Sequence, residues 1–183
     1  MAKIVCLGWG SLIWNHGDLP VKSEWFDDGP SVQVEFVRQS NNGRITLVLD
    51  RGAPPVQALW AVMESANLSA ARDAQGAREG ISPHAWGRRI GAWPLRGEPL
   101  PELVLDLPAW ARERDIDGVV WTALPSKFGN EERTPTGEEV VHYFAGLSGS
   151  VREGAEEYVR KTPRQIDTPY RQMIEAALGW EPI

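Results

Sequence analysis

The residues best suited to chemistry lie in one stretch near the N-terminus, residues 8–14, which reads Gly-Trp-Gly-Ser-Leu-Ile-Trp. It follows an apolar run that predicts a buried strand over Lys3–Leu7. Gly8 and Gly10 allow positive φ and let a ligand approach bare backbone closely. Ser11 adds a hydroxyl, and successive N–H groups in such a turn can form an anion-binding concavity. The stretch therefore predicts either an anion-binding turn or a tight corner after a strand.

A second candidate is Glu79, which comes shortly after a predicted helix over Asn67–Gln75 and directly before Gly80. A carboxylate in a turn between two elements can act as a general acid or base if it is held near a substrate. Taken alone, it is more typical of a solvated turn residue. Its significance depends on whether it pairs with residues 8–14.

Metal chemistry has weak support in the sequence. The three histidines, His16, His84 and His142, lie far apart. Glu139-x-x-His142 is one half of a di-metal carboxylate pattern, and the second half is missing. We therefore expect no metal site.

Covalent and nucleotide chemistry are also poorly supported. Ser11 lacks the glycine two residues later that a nucleophile elbow requires. Cys6 lies in the first apolar run without a nearby positive charge, which predicts a buried, inert thiol. Ile13 occupies the place of the third glycine of a dinucleotide fingerprint, where its bulk would prevent close helix packing. We expect no cofactor.

Residues 8–14 and Glu79-Gly80 together resemble the γ-glutamylcyclotransferase-like superfamily. Members begin with a strand and a Tyr-Gly-Ser-Leu or Tyr-Gly-Ser-Asn loop. The ChaC-type branch carries Gly-Tyr-Gly-Ser-Leu-Ile-Trp, from which this chain differs only at Trp9. Members also have a strand, a short helix and then a catalytic Glu followed by Gly, similar to the order found here. The resemblance covers about residues 3–95 and extends at most to the strand predicted over Gly118–Leu124.

The resemblance implies an acyltransferase- or lyase-type enzyme that cyclises a small γ-glutamyl amide to 5-oxoproline and releases an amine without a cofactor. It implies that Glu79 is the general acid/base and is partly buried. Trp9, Gly10, Ser11 and Leu12 would bind the substrate, the last three through backbone N–H groups. Because Trp9 replaces the family's tyrosine, the site has an indole N–H in place of a phenol hydroxyl.

Other interpretations of the same residues stay open. The fold could be a non-catalytic module that binds a small ligand, which a solvent-facing Glu79 and a pocket filled by Trp9 would favour. The helical tail could instead form the surface of an interaction protein. Self-association through Tyr158, Tyr170 and Met173, as in a homodimer, would point to that function.

The elements that must position these residues run from strands to helices. Strands are predicted at Lys3–Leu7, 32–36, Arg44–Asp50, Val56–Met63, Ile90–Leu95 and Gly118–Leu124. Arg38, Arg44 and Arg51 flank the predicted hairpin, and any of them could supply a charge to the site. This order predicts an α+β fold in which a mixed or antiparallel sheet closes into a small β-barrel with helices outside. We expect one domain over residues 1–183, with a helical C-terminal extension from about residue 135.

Composition limits the partners. The chain has 183 residues, 42% of them hydrophobic, and a formal net charge of -6 without a cluster of Lys and Arg. We therefore expect no nucleic-acid partner and no anionic membrane partner, since both require a basic footprint. A single cysteine, the lack of a signal-peptide pattern and the lack of a long apolar stretch predict a cytoplasmic protein.

Overall fold

The computed structural model describes residues 2–183, which divide into two compact units. The first unit comprises residues 2–8, 12–32 and 57–124, and the second comprises Trp9–Ser11, Gln33–Val56 and Pro125–Ile183. The chain therefore enters the second unit at Trp9, returns at residue 12 and re-enters it at Gln33. The prediction of one domain with a helical extension stays a prediction, and residues after 135 all belong to the second unit.

Both strands and helices are short. The strands are β1 Ile4–Gly8, β2 Ser31–Gln39, β3 Ile45–Leu49, β4 Pro55–Gln57, β5 Leu59–Val62, β6 Ile90–Trp93 and β7 Gly118–Thr122. The helices are α1 Leu68–Arg78, α2 Trp86–Arg89, α3 Leu107–Glu113, α4 Gly137–Ala145, α5 Gly149–Lys161 and α6 Pro169–Leu178, with a 3₁₀ turn at Pro83–Ala85. None of the helices in residues 2–183 is long and apolar enough to span a bilayer.

The first unit is built on a four-stranded sheet with the order β5-β1-β7-β6. All five residues of β1 are buried, as expected for a central strand without polar alternation. β1 pairs antiparallel with β5, where Cys6 faces Ala61, and parallel with β7, where Cys6 faces Val120. Helix α1 packs on β7 and β6. Packing against β7 and β6 therefore positions the C-terminal end of α1.

The second unit has a three-stranded sheet, β3-β2-β4, which belongs to it apart from a few residues at the strand ends. Strands β2 and β3 form the predicted hairpin, whose turn ends at Gly43 with a φ of 79°. The described residues of the same unit also form three helices, α4, α5 and α6. Strand β3 is an edge strand, so its outward backbone groups must find partners other than a neighbouring strand.

The predicted α+β class with a mixed sheet is confirmed, but the predicted closed barrel is not found. In residues 2–183 the outer strands β5 and β6 do not pair with each other, nor do β3 and β4. Sheets of four and three strands are too narrow to close around a filled interior, for which about eight strands are usual. The strand predicted over Val56–Met63 is also interrupted at Ala58, which separates β4 from β5.

Side-chain caps set the starts of α4 and α6 in the second unit. Thr136 Oγ1 accepts from Glu139 N at 3.2 Å, and Glu139 Oε2 accepts from Thr136 N at 2.8 Å, which completes the capping box of α4. At the start of α6, Thr168 Oγ1 accepts from Arg171 N at 3.2 Å, and Pro169 lies in the first turn. These caps fix where α4 and α6 begin.

A buried arginine connects α6 to the end of α5. Arg171 is 1% exposed, and its guanidinium donates to Thr162 O at 2.8 Å, Pro163 O at 2.6 Å and Ile166 O at 3.0 Å. These carbonyls follow the last turn of α5, where a cation is favourable. The contacts hold in place the helix that carries Tyr158.

Candidate functional site

Trp9 is an anchor of its turn. Its side chain is 5% exposed, and its indole Nε1 donates to the carbonyl of Leu47 in β3 at 3.3 Å. The N–H that the sequence suggested for a ligand is therefore used within the second unit. Trp9 can contribute an apolar surface to a binding site, but its polar group already has a partner.

Gly8 and Gly10 are required by packing and do not use the positive φ that glycine allows. Neither glycine has a positive φ. A Cβ at Gly8 would lie 2.7 Å from the ring of Trp25, within the first unit. A Cβ at Gly10 would collide with the hydroxyl of Tyr158, within the second. In both places, a neighbouring aromatic side chain occupies the volume that a larger residue would need.

The turn leaves backbone donors unused. Within residues 2–183, no hydrogen bond is made by the N–H groups of Gly10 and Ser11 or by the Ser11 hydroxyl. Gly10 is buried and Ser11 is half-buried. Buried N–H groups without a partner are rare in folded proteins, because their desolvation is costly. Two donors in succession, one at a buried residue and one at a half-buried residue, form a place where a carbonyl oxygen or a carboxylate can be bound.

Of the three arginines near the hairpin, Arg44 contacts the side chain that packs against this turn. Its guanidinium lies over the ring of Tyr158, 5.6 Å from the centroid, and the hydroxyl of that ring adjoins Gly10. Arg38 instead donates to the carbonyl of Pro125 at 2.7 Å. Arg51 is exposed. The contacts therefore favour Arg44 as the cation that accompanies the turn.

Glu79 lies in the first unit and is held by charge. Its Oε1 accepts from Arg78 Nη1 at 2.9 Å, and the two side chains are only 16% and 17% exposed. Arg78 Nη2 also donates to the carbonyl of Asn15 at 2.5 Å. Within residues 2–183 no hydrogen bond engages Glu79 Oε2. The carboxylate is thus partly buried, as expected for a base, with one oxygen restrained and one open.

Gly80, the second residue of the Glu-Gly pair, is needed to end helix α1. Helix α1 extends three residues past the predicted end at Gln75, so that Glu79 is its C-cap. Gly80 has a φ of 66°, and its N–H bonds to Ala77 O while that of Ile81 bonds to Gly76 O. This is a Schellman ending, which needs a left-handed residue directly after the cap. Gly80 therefore fixes the backbone from which Glu79 projects.

A cleft of about 440 Å³ lies beside Arg78 in the first unit. It is lined by Asn15, Gly17, Asp18, Ala74, Ala77 and Arg78. A cleft of this volume is within the range of small-molecule sites. Arg78 lines the cleft and also contacts Glu79. A ligand in the cleft would therefore lie beside the residue that holds the carboxylate.

The predicted site residues fall into both units. Glu79 and Leu12 belong to the first, and Trp9, Gly10 and Ser11 to the second. Leu12 is 7% exposed and packs in the apolar core of the first unit with Ile4 and Cys6. Its side chain is therefore a core residue, and only its backbone could take part in binding.

Gln75 is a buried polar residue that sequence reasoning missed. It lies one turn before Glu79 in α1 and is 0% exposed. Its Nε2 donates to Thr122 Oγ1 at 2.9 Å, whereas its Oε1 is buried without a hydrogen-bond partner in residues 2–183. A glutamine among alanines at helical spacing from Ala71 was the available signal, since that face of the helix is the one that packs on the sheet.

Glu35 is a second buried group, although it alternates with the apolar residues Val34 and Phe36 along β2. It is 2% exposed and accepts from Thr168 Oγ1 at 2.5 Å and from Tyr170 N at 3.2 Å. Burial raises the pKa of Glu35, although these hydrogen bonds oppose the shift. The carboxylate accepts a hydrogen bond from the first turn of α6, where N–H groups lack partners within the helix. Its role is therefore to attach α6 to β2.

Cys6 is inert, as predicted. It is 0% exposed, and burial raises the pKa of its thiol to about 12, so the nucleophilic thiolate is not formed near neutral pH. Within residues 2–183 no three or more His, Cys, Asp or Glu side chains are grouped so that they could hold a metal ion.

Comparison with known proteins adds no functional assignment. No family model matches this chain, and no curated protein matches its sequence. The functional interpretation therefore depends on the two motifs and on the contacts that surround them in each unit.

Proposed function

We propose that this protein cyclises a γ-glutamyl amide to 5-oxoproline and releases an amine. The substrate's α-amino nitrogen attacks its own γ-carbonyl carbon, forming the lactam C–N bond, and the C–N bond to the leaving amine breaks. No electrons are transferred and no cofactor is needed. Because nucleophile and electrophile belong to one molecule, holding them in the reactive geometry removes much of the barrier.

The observation that carries the proposal is the pair of unused backbone donors at Gly10 and Ser11. During ring closure, negative charge develops on the γ-carbonyl oxygen. Preorganised N–H groups that bind such an oxygen are often the largest single contribution to catalysis. The two donors that the fold leaves without partners would receive this oxygen.

Glu79 is the proposed general acid/base. Its open Oε2 would take in turn the two protons that the α-ammonium nitrogen loses on becoming the lactam N–H. It would pass both to the leaving nitrogen, which departs as an ammonium ion, so that the protons balance over one turnover. Arg78 contacts only Oε1 of Glu79. This contact sets the orientation of the carboxylate and leaves Oε2 free. Glu79 thus needs no change of partner to act.

Two further groups fit the remaining parts of such a substrate. The guanidinium of Arg44 has the charge that the α-carboxylate requires. The cleft beside Arg78 has the volume for the leaving amine. Neither group is required for the ring closure itself, so both would affect substrate choice more than the chemical step.

The proposal extends to the fold family, the cellular location and the oligomeric state. The order of a buried strand, a glycine turn, a hairpin, a helix and a Glu-Gly pair supports a γ-glutamylcyclotransferase-like fold. A lone buried cysteine supports a cytoplasmic location. A homodimer stays a prediction. Tyr158 is only 3% exposed and cannot form its surface, whereas Met173 is 37% exposed and could.

The test is mass-spectrometric detection of 5-oxoproline from a panel of γ-glutamyl compounds that includes glutathione, γ-glutamyl amino acids and γ-glutamylamines. Glu79→Gln keeps the shape and the acceptor for Arg78 but cannot take up a proton. We expect product from the parent protein and a loss of at least about 10³-fold in the variant, toward the upper end of the contribution of a general acid/base.

The matched control is Glu64→Gln, which alters an exposed glutamate of the same unit. It should leave turnover within about twofold, as expected for an exposed site remote from the chemistry. Equal product from the parent protein and from Glu79→Gln would reject Glu79 as the base. Absence of product from the whole panel would reject the cyclisation proposal.

The Arg78 contact also supports a second candidate function, that of a non-catalytic module for a small ligand. A carboxylate held by an arginine is a normal structural pair, and the indole N–H of Trp9 already has a partner in the second unit. Calorimetric titration of the same panel separates the two functions. Binding without product, with affinity unaffected by Glu79→Gln, would support the binding module.

A further inference from the structure

Tyr158 brings a hydroxyl from helix α5 to the backbone of the glycine turn. Its Oη accepts from the N–H of Leu47 at 3.2 Å and occupies the space where a Cβ of residue 10 would lie. The ring is 3% exposed and meets Phe36 edge-on, with centroids 6.3 Å apart. The hydroxyl therefore has little freedom to move away from Gly10.

Trp9 in the turn and Tyr158 beside it both bond to a single residue of the edge strand β3. Trp9 donates to the carbonyl of Leu47, and Tyr158 accepts from the N–H of the same residue. The outward backbone groups of Leu47, which an edge strand would otherwise leave unpaired, are both used. Residues 9 and 10 are thus fixed against β3 from two sides.

We infer that Tyr158 is a positioning residue whose hydroxyl, packed against Gly10 and bonded to Leu47, fixes the direction of the Gly10 and Ser11 N–H groups. This inference rests on the proposed function, in which those donors bind the oxygen of the reacting carbonyl. The dihedral angles at Gly10 set where the next N–H points, and glycine is the residue least able to hold them by itself. Contact with Tyr158 supplies the restraint that glycine lacks.

The first test is Tyr158→Phe, which removes one oxygen and keeps the ring. Loss of an oxyanion donor typically costs about 10²–10³-fold in kcat, so a misdirected donor should cost about 10- to 100-fold. We expect that loss in kcat, with KM changed by less than about threefold, because the N–H groups act on the developing charge more than on the bound substrate.

The matched control is Tyr143→Phe. The Tyr143 hydroxyl also lies in the second unit and donates to Gly43 O at 2.8 Å, but no contact links it to Gly10. Its kcat should stay within about twofold of the parent value, as for a site outside the machinery. Equal losses of kcat in both variants would overturn the inference, since they would reflect general loosening of the unit.

A double-mutant cycle with Gly10→Ala gives a readout that a purely structural role would not produce. Alanine at position 10 collides with the hydroxyl in the parent protein, and Tyr158→Phe removes that atom. The loss of kcat caused by Gly10→Ala should therefore be at least about fivefold smaller in the Tyr158→Phe background, a coupling typical of residues in contact. Losses that simply multiply would show that the hydroxyl does not control Gly10.

A measurement that does not depend on turnover keeps the inference separate from the proposed function. ¹⁵N relaxation reports the order parameters of the Gly10 and Ser11 amides, which are about 0.85 for rigid backbone and below about 0.6 for flexible backbone. We expect rigid values in the parent and in Tyr143→Phe, and a clear decrease in Tyr158→Phe. If the parent makes no 5-oxoproline, the proposed function fails and these values still decide what Tyr158 does. Unchanged values in Tyr158→Phe would overturn the inference whatever the activity.

Discussion

At the end of helix α1, Glu79 is held by a charged partner, whereas at the Gly10 turn the backbone is held by neutral groups. Arg78 contacts the carboxylate at 2.9 Å near the surface of the first unit. Trp9 and Tyr158, both nearly inaccessible, hold the turn in the second unit. The difference matches the work each place is proposed to do. A carboxylate that exchanges protons needs solvent and an open oxygen, while donors that bind a developing charge need a fixed direction.

The glycines give the largest expected contrast. Gly10→Ala should destabilise the protein by about 1–3 kcal/mol, the usual cost of overpacking, because its Cβ meets the Tyr158 hydroxyl. Gly154→Ala, in the same helix as Tyr158, meets nothing within 4 Å and should stabilise by about 0.5–1 kcal/mol. Urea unfolding of both variants measures the difference. Equal effects would show that the turn is not tightly packed.

Arg78→Met tests whether charge holds the other region. The variant keeps an apolar stem and loses the hydrogen bonds to Glu79 and to Asn15 O, so we expect a cost of about 1.5–3 kcal/mol from thermal unfolding. Turnover should fall less than about tenfold, because Arg78 makes no contact with the reactive oxygen Oε2. The only expected loss is a less well oriented Glu79 carboxylate.

Arg88→Met is the control for that prediction, because Arg88 is an exposed arginine of the same unit. It should change the free energy of unfolding by less than about 0.5 kcal/mol. A loss of turnover in Arg78→Met as large as that in Glu79→Gln would contradict the comparison and make Arg78 itself essential to the chemistry.

Glu35 gives the smallest effect and the one that depends on pH. Because burial raises its folded-state pKa above the ordinary 4.5, the folded protein binds this proton more tightly than the unfolded chain does. Its contribution to stability is therefore complete below about pH 4.5 and is lost as pH rises through the raised pKa. Thermal unfolding between pH 4 and 8 should show this loss in the parent protein and not in Glu35→Gln.

The difference between the two unfolding curves isolates Glu35 from the carboxyl groups whose pKa values are lowered, such as Asp28 beside Trp60 and Arg114. The contribution of those groups to the free energy of unfolding increases as pH rises, and it does so equally in the parent protein and in the variant. Parallel curves would contradict the raised pKa and would mean that the hydrogen bonds to the carboxylate fully offset its burial.

Local rules predicted much of the fold because they act over a few residues. The capping box at Thr136, the N-cap at Thr168 and the hairpin turn at Gly43 are each set by side chains or dihedral angles within one turn of chain. The glycine turn after β1 also followed from local sequence, whereas the partial burial of Glu79 was implied by the family resemblance. Closure of the sheet did not, because it depends on which distant strands pair.

The site shows the same division. By itself, the sequence determined the candidate residues Trp9, Gly10, Ser11 and Glu79, since their types and order carry the chemistry. Tertiary structure alone decided that Leu47 and Tyr158 hold the turn, because they lie 38 and 148 positions from Trp9 and Gly10 in the printed sequence. It also decided that the glycines are needed for space and that Glu35 is buried. Burial and collision depend on elements brought together by folding, and no short segment of sequence records them.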